Sequence, residues 1–125
     1  MANKLKVLLV EDEKMLSSMY ATKFTKEGYD LSAAYDGEEG LAKAKSLKPD
    51  IILLDIIMPK IDGFVVLKAL KEDPELKKIP VILLTNLGQD EDIKKGKELG
   101  ACDYFIKANH TPAEVVEKVQ SVFEK

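Results

Sequence analysis

Length, composition and charge restrict what this 125-residue chain can be. With 46% hydrophobic residues it suits one domain over residues 1–125, and its 22 acids against 19 cations, all of them lysine, speak against direct binding of nucleic acid. No apolar run approaches the roughly 20 residues of a membrane span or heads a signal peptide, and a single cysteine excludes an internal disulfide, so we expect a cytoplasmic protein.

The first part of the chain predicts two strands and two helices. A strand at residues 4–10 runs directly into three acids, and apolar residues at helical spacing predict a helix at 14–26. Gly28 suits the left-handed position that ends such a helix. A second strand at 29–34 then precedes a helix at 36–47, which opens with an N-cap pattern.

The third strand, at residues 51–55, is a continuous apolar run that ends at a carboxylate. Such a run suits a strand that is buried on both faces of a parallel sheet. Asp55 would then lie where open α/β sheets bind ligands, although an aspartate also favours the turn that precedes Pro and Gly. After the loop at 59–63 we predict a short helix to about residue 71.

The last two strands also end at polar residues. Strands at 81–84 and 104–106 are followed directly by Thr85 and Lys107. The helix between them, at 90–99, has few large apolar residues, so we expect it to be the most loosely held.

A final helix, which opens with a capping-box pattern at Thr111, completes five alternations of strand and helix. This pattern predicts an α/β fold: a doubly wound, five-stranded parallel sheet with right-handed crossovers, a flavodoxin-like three-layer sandwich with strand order 2-1-3-4-5. Strands 1 and 3 would then be neighbours. Glu11, Asp12 and Asp55 should therefore meet in one crevice.

Three converging carboxylates repel one another, so their site needs a cation or must bind protons. Oxygen ligands without histidine or cysteine favour a hard ion such as Mg²⁺. The Thr85 hydroxyl and the Lys107 ammonium suit the oxygens of a phosphoryl group. Asp55 is a candidate nucleophile, because aspartate can form an acyl phosphate when a metal ion and a lysine neutralise the developing charge.

Several sequence segments, in this order, resemble the receiver domain of two-component response regulators over essentially the whole chain. They are the pair Glu11–Asp12, DIILLDIIMPKIDGF around Asp55, LLTN with Thr85, and YFIK ending in Lys107. The resemblance implies a stand-alone receiver without an output domain, which changes the proteins it binds when it is phosphorylated. It also implies that the chain turns over no separate substrate and is not an enzyme in that sense.

The resemblance also assigns roles to residues. Asp55 would be the phospho-acceptor, supplied by a histidine kinase or a histidine phosphotransfer protein. Mg²⁺ would be bound by Asp12, Asp55 and the main-chain carbonyl of Ile57, with Glu11 assisting through water. Lys107 would bind the phosphoryl group.

The resemblance further predicts a switch and an output surface. Thr85 and Tyr104 match the conformational switch pair of the family, in which the aromatic ring turns inward after phosphorylation. The downstream protein target would then bind the face formed by the fourth helix, the fifth strand and the fifth helix, and we expect no direct contact with nucleic acid or membrane.

One residue departs from the family pattern. Ala108 stands where the family usually has proline after a cis peptide bond, and a cis bond before a non-proline residue costs about 2.5–4 kcal/mol, so the sequence leaves this bond open. We interpret His110 as a loop residue and Cys102 as a small packed residue.

The alternative function is a Mg²⁺-dependent phosphatase with an aspartyl-phosphate intermediate, which the fold alone does not exclude. Against it, Ile57 stands two residues after Asp55, where an enzyme of that kind needs a second acid.

Overall fold

All ten predicted elements are present, with ends that differ from the predicted ones by one or two residues. The structure, a computed structural model, describes residues 5–58, 61–86, 89–107 and 111–123. The strands are β1 (Lys6–Val10), β2 (Asp30–Ala34), β3 (Ile51–Leu54), β4 (Val81–Thr85) and β5 (Asp103–Ile106). The helices are α1 (Lys14–Lys26), α2 (Gly37–Leu47), α3 (Gly63–Glu72), α4 (Asp90–Glu98) and α5 (Pro112–Phe123).

The strands form one parallel sheet in the order β2-β1-β3-β4-β5, which confirms the predicted topology. In this order β1 and β3 are direct neighbours, and Val10 pairs with Leu54 at their ends. The residues that follow each strand, Glu11 and Asp55, therefore leave the sheet at the same level. The strand order thus brings the predicted acids together.

The core lies on both faces of the sheet, as the apolar runs predicted. Successive residues of β3 alternate between two hydrophobic clusters, with Ile52 and Leu54 in one and Ile51 and Leu53 in the other. All four side chains are buried. Because β3 has no polar side chain, the first polar group that it can present to a ligand is Asp55, directly after its last residue.

The predicted helix ends are also present. The backbone N–H of Glu114 donates to Thr111 Oγ1 (3.2 Å), and the N–H of Thr111 donates to Glu114 Oε1 (2.8 Å), a reciprocal capping box. Asp36 accepts from the N–H of Glu39 at the start of α2. Gly28, with φ +93°, follows the C-cap of α1 in the left-handed conformation that glycine favours.

Helix α4 approaches the sheet through a glycine. Gly96 is the one buried residue of its nine, and a Cβ added there would lie 2.4 Å from Leu83 Cδ1. Ile93 is half-buried. The sparse apolar face predicted for this helix is therefore correct, and its loose attachment stays a prediction.

Cys102 does not pack in the core as predicted; it is exposed. Its neighbour Ala101 takes the inward position, and the Cys102 N–H donates to the carbonyl of Val81 (2.9 Å). The side chain therefore points away from the core. The Lys107–Ala108 peptide bond and His110 lie outside the described residues, and within the described ranges no helix is long and apolar enough to cross a membrane.

Gly63 fixes the chain that leaves Asp55. Its N–H donates to the carbonyl of Ile56 (2.7 Å), and an added Cβ would lie 2.3 Å from the Asp55 carbonyl oxygen and 2.5 Å from Ile56 Cα. Both are backbone atoms, so neither can rotate away. Only a residue without a Cβ permits this approach.

We predict that Gly63→Ala lowers the free energy of unfolding by about 1–3 kcal/mol, because the backbone must shift to admit the methyl group. Urea unfolding measures the loss. Val65→Ala, at an exposed position in the same helical turn, is the control and should stay within about 0.5 kcal/mol of the wild type. Equal losses in the two variants would contradict the steric argument.

Candidate functional site

The polar residues predicted for the site lie together at the carboxyl edge of the sheet. Glu11 follows β1, Asp55 follows β3, Thr85 ends β4 and Lys107 follows β5. The N–H of Asp55 donates to the carbonyl of Val10 (3.0 Å), so strand pairing continues to the point where the acids begin. The site is therefore positioned by the hydrogen-bonded centre of the sheet.

Three carboxylates form the centre of this site. Glu11, Asp12 and Asp55 each offer an oxygen, and these atoms lie within 4.8 Å of one another. Glu11 and Asp55 are 1% and 5% exposed, whereas Asp12 is half-buried. The carboxylates of Asp12 and Asp55 open into a cavity of about 200 Å³, which Thr85 and Lys107 also line. The structure thus brings the three predicted acids together with Thr85 and Lys107.

Lys107 bridges two of the acids. Its ammonium donates to Asp55 Oδ2 (2.8 Å) and to Glu11 Oε1, and its side chain is only 8% exposed. Burial by itself would lower the pKa of Lys107, but the hydrogen bonds to Asp55 and Glu11 outweigh burial and raise that pKa. Lys107 therefore stays charged inside the site.

The two neighbouring acids have different environments. Glu11 accepts from Lys107 through one oxygen and from the N–H of Glu13 through the other (2.9 Å), and burial raises its pKa despite these bonds. Within the described part of the chain, the Asp12 carboxylate has no hydrogen bond or ion pair. Asp12 is therefore the acid that is open to a ligand, and Glu11 is the one that is engaged.

The donor set fits a divalent cation. One ammonium among three carboxylates leaves two negative charges, all the available ligand atoms are oxygens, and such sites suit a hard metal ion. Ile57 lines the same cavity, and its N–H donates to Asp55 Oδ1 (3.2 Å). The acidic cluster can therefore hold a metal ion, with Asp12 as its most accessible ligand.

The predicted switch residues lie on β4 and β5, beside the cavity. Thr85 is fully buried, and Tyr104 is 9% exposed with its ring against Gly96. Burial raises the pKa of Tyr104 to about 12, and the charges of Asp92 and Asp55 add to the effect. The ring of Tyr104 is therefore largely buried between α4 and the core, and its role as a switch stays a prediction.

Two residues contribute to the site in ways that the sequence reasoning missed. Glu13, to which the sequence analysis assigned no role in the site, lines the cavity, and its backbone N–H donates to Glu11. Asn86 lines the cavity next to Thr85. Its position directly after a strand end was the available signal, because Glu11, Asp55 and Lys107 have that position too.

Comparison with known proteins agrees with this geometry. Residues 7–120 match the response regulator receiver domain. The DNA-binding dual master transcriptional regulator RpaA of Synechocystis sp. is 40% identical over 102 residues, which are 82% of this chain and 42% of RpaA. The alkaline phosphatase synthesis transcriptional regulatory protein PhoP of Bacillus subtilis is 38% identical over 120 residues, 96% of this chain and 49% of PhoP. The chain thus spans less than half the length of these relatives.

Solved structures agree as well. The chemotaxis response regulator CheY4 of Vibrio cholerae superposes with a TM-score of 0.90 at 31% identity, over 97% of this chain and all of that one. A putative response regulator from Chloroflexus aurantiacus gives the same TM-score at 29% identity, over 98% of this chain and all of that chain.

The burial of the Tyr104 ring predicts its titration. With its pKa raised to about 12, the folded state keeps a proton that the unfolded state loses near 10, so the free energy of unfolding should fall as pH rises from about 10 to 12. We expect the difference in phenolate absorbance between wild type and Tyr104→Phe, recorded by rapid mixing before unfolding, to have a midpoint near 12.

The same difference measured in denaturant is the control and should have its midpoint near 10. A midpoint near 10 in the folded protein would mean that the ring of Tyr104 lies in solvent.

Proposed function

Because the chain belongs to the family of response regulator receiver domains, we propose that it accepts a phosphoryl group on Asp55 in a Mg²⁺-dependent reaction and signals by changing which protein it binds. The observation that carries this proposal is the ammonium of Lys107 on Asp55 Oδ2, in a cavity that Asp12 and Thr85 also line. The donor would be a histidine kinase or a histidine phosphotransfer protein.

The chemistry follows from what surrounds Asp55. A carboxylate oxygen of Asp55 attacks the phosphorus of a phosphohistidine, an O–P bond forms as the N–P bond breaks, and the bonding electrons leave with the imidazole. Lys107 already holds one Asp55 oxygen and the Ile57 N–H holds the other, so the nucleophile is oriented before the donor arrives.

The charge on the transferred oxygens needs several positive groups. Lys107 offers its ammonium, and Thr85 a hydroxyl at the end of the adjacent strand. When bound by Asp12, Asp55 and the Ile57 carbonyl, with Glu11 assisting through water, Mg²⁺ would neutralise further oxygen charge. Each group lies at a strand end, so none requires a rearrangement of the sheet.

The rival function, a phosphatase that turns over a separate substrate, has less support. Ile57 stands two residues after Asp55 and its side chain is 57% exposed, so it offers no acid or base there. The cavity at Asp55 is small, about 200 Å³. We therefore propose a signalling module that is not a turnover enzyme.

We further propose that this receiver works in the cytoplasm and that α4, β5 and α5 form the face that binds the downstream protein. The name of RpaA describes DNA binding by that relative. For this chain we propose contact with proteins rather than with nucleic acid, because its cations are all lysines and are outnumbered by acids.

Phosphorylation should be confined to Asp55. We expect incubation with acetyl phosphate and Mg²⁺ to add the mass of one phosphoryl group to the wild type, measured by intact mass spectrometry. Asp55→Asn and wild type with excess chelator should show no adduct, whereas Asp30→Asn, at an exposed aspartate, should match the wild type.

An adduct of equal yield in Asp55→Asn would contradict the assignment. Steady release of inorganic phosphate without an adduct would instead favour the phosphatase.

The environments of Asp12 and Glu11 predict how much each contributes to the affinity for Mg²⁺. We expect Asp12→Asn to weaken Mg²⁺ binding about tenfold more than Glu11→Gln, because both Glu11 oxygens already have partners. Tyrosine fluorescence can report the titration, since Tyr20 is buried and its pKa responds to the charges of the site. Tyr20→Phe identifies that signal, and equal losses in both acid variants would refute the assignment.

A further inference from the structure

The backbone of Asp55 and Ile56 packs directly against the start of α3. Gly63 packs directly on the Asp55 carbonyl, with no room for a Cβ, and its N–H is bonded to Ile56. Any displacement of the Asp55 backbone must therefore displace Gly63, and with it the first turn of α3. Phe64 is the next residue in that turn.

Phe64 connects this turn to α4. The Lys95 ammonium lies 4.6 Å from the centroid of the Phe64 ring, the geometry of a cation–π contact. Phe64 is also packed against the hydrophobic cluster that contains Leu83 and Tyr104. The ring thus contacts α4 on one side and the core on the other.

Lys95 is followed directly by Gly96, where α4 approaches Leu83 and the ring of Tyr104. Two consecutive residues of α4 therefore contact two different elements, the first turn of α3 and strand β5. Lys95 contacts the segment that follows Asp55, and Gly96 contacts the predicted switch aromatic. Gly96 is the one buried residue of α4, and Ile93 is half-buried, so the contact of Lys95 with Phe64 adds to a small set that positions this helix.

We propose that the contact between Phe64 and Lys95, here called the clasp, makes α4 shift when the backbone of Asp55 and Ile56 shifts. It would act beside the connection that the family resemblance predicts through Thr85 and Tyr104. The proposal rests on the proposed function for its regulatory meaning, because phosphorylation of Asp55 would be the event that moves this backbone. The clasp itself is a property of the protein alone. Phe64 and Lys95 are positioning residues that need not touch the phosphoryl group.

Amide hydrogen exchange tests the clasp without any phosphoryl group. We expect Lys95→Met and Phe64→Leu each to speed exchange across residues 90–98 about fivefold, and the double variant to add nothing further. Lys95→Arg, which keeps the cation, should exchange like the wild type. Lys94→Met, at the exposed neighbouring position, is the matched control and should also leave α4 unchanged.

Amides of residues 6–10, in β1, separate local opening of α4 from global unfolding, and they should not change. If Lys95→Met exchanges no faster than Lys94→Met, or if the two single effects add fully, the clasp is refuted.

A second measurement tests the coupling to Asp55. Amide shifts induced by beryllofluoride with Mg²⁺ should reach residues 90–98 in the wild type and Lys94→Met, and their amplitude should fall by about half in Lys95→Met. The coupling would be refuted if beryllofluoride shifts the amides around Asp55 in both lysine variants and shifts those of α4 equally in Lys95→Met and Lys94→Met. No shift at Asp55 in the wild type would refute the proposed function, while the exchange result would still decide the clasp.

Discussion

The site depends on one buried ammonium held between two buried carboxylates. Lys107, which follows β5, reaches across the end of β4 to Asp55 after β3 and Glu11 after β1. A single side chain thereby connects three strand ends. Without this charge, two carboxylates that are almost fully buried would repel each other in a poorly hydrated space. The pairing of Glu11 with Lys107 also leaves Asp12 as the acid that is open to a ligand.

Such a cluster is a poor way to stabilise a fold. Taking two carboxylates and an ammonium out of water costs several kcal/mol per ion, and apolar residues of the same size often do as well or better. The acids and the lysine are therefore better explained by the proposed phosphoryl transfer than by a contribution to folding. Burial of the four apolar side chains of β3 helps to offset this free-energy cost and holds Asp55 in place at the end of the strand.

Close contacts through glycine join this site to the rest of the molecule. Gly63 brings the first turn of α3 against the Asp55 carbonyl, and Gly96 brings α4 against Leu83 and Tyr104. Such close contacts transmit small displacements, because packed groups without free space between them cannot absorb a shift of their neighbours. The proposed output face of α4, β5 and α5 is thus connected to Asp55 through Gly63 and the contact between Phe64 and Lys95.

The sequence by itself determined the strands, the helices, their order in the sheet and the meeting of Glu11, Asp12 and Asp55, because apolar periodicity and the acids at strand ends are local signals. Only the tertiary structure decided that Lys107 takes Glu11 rather than Asp12.

The tertiary structure also decided that Tyr104 is largely buried, that Cys102 is exposed, and that Phe64 meets Lys95. Each of these outcomes depends on how side chains from separate elements share space. A pattern read along one chain shows which face of an element is apolar, but it does not show which neighbour that face will meet.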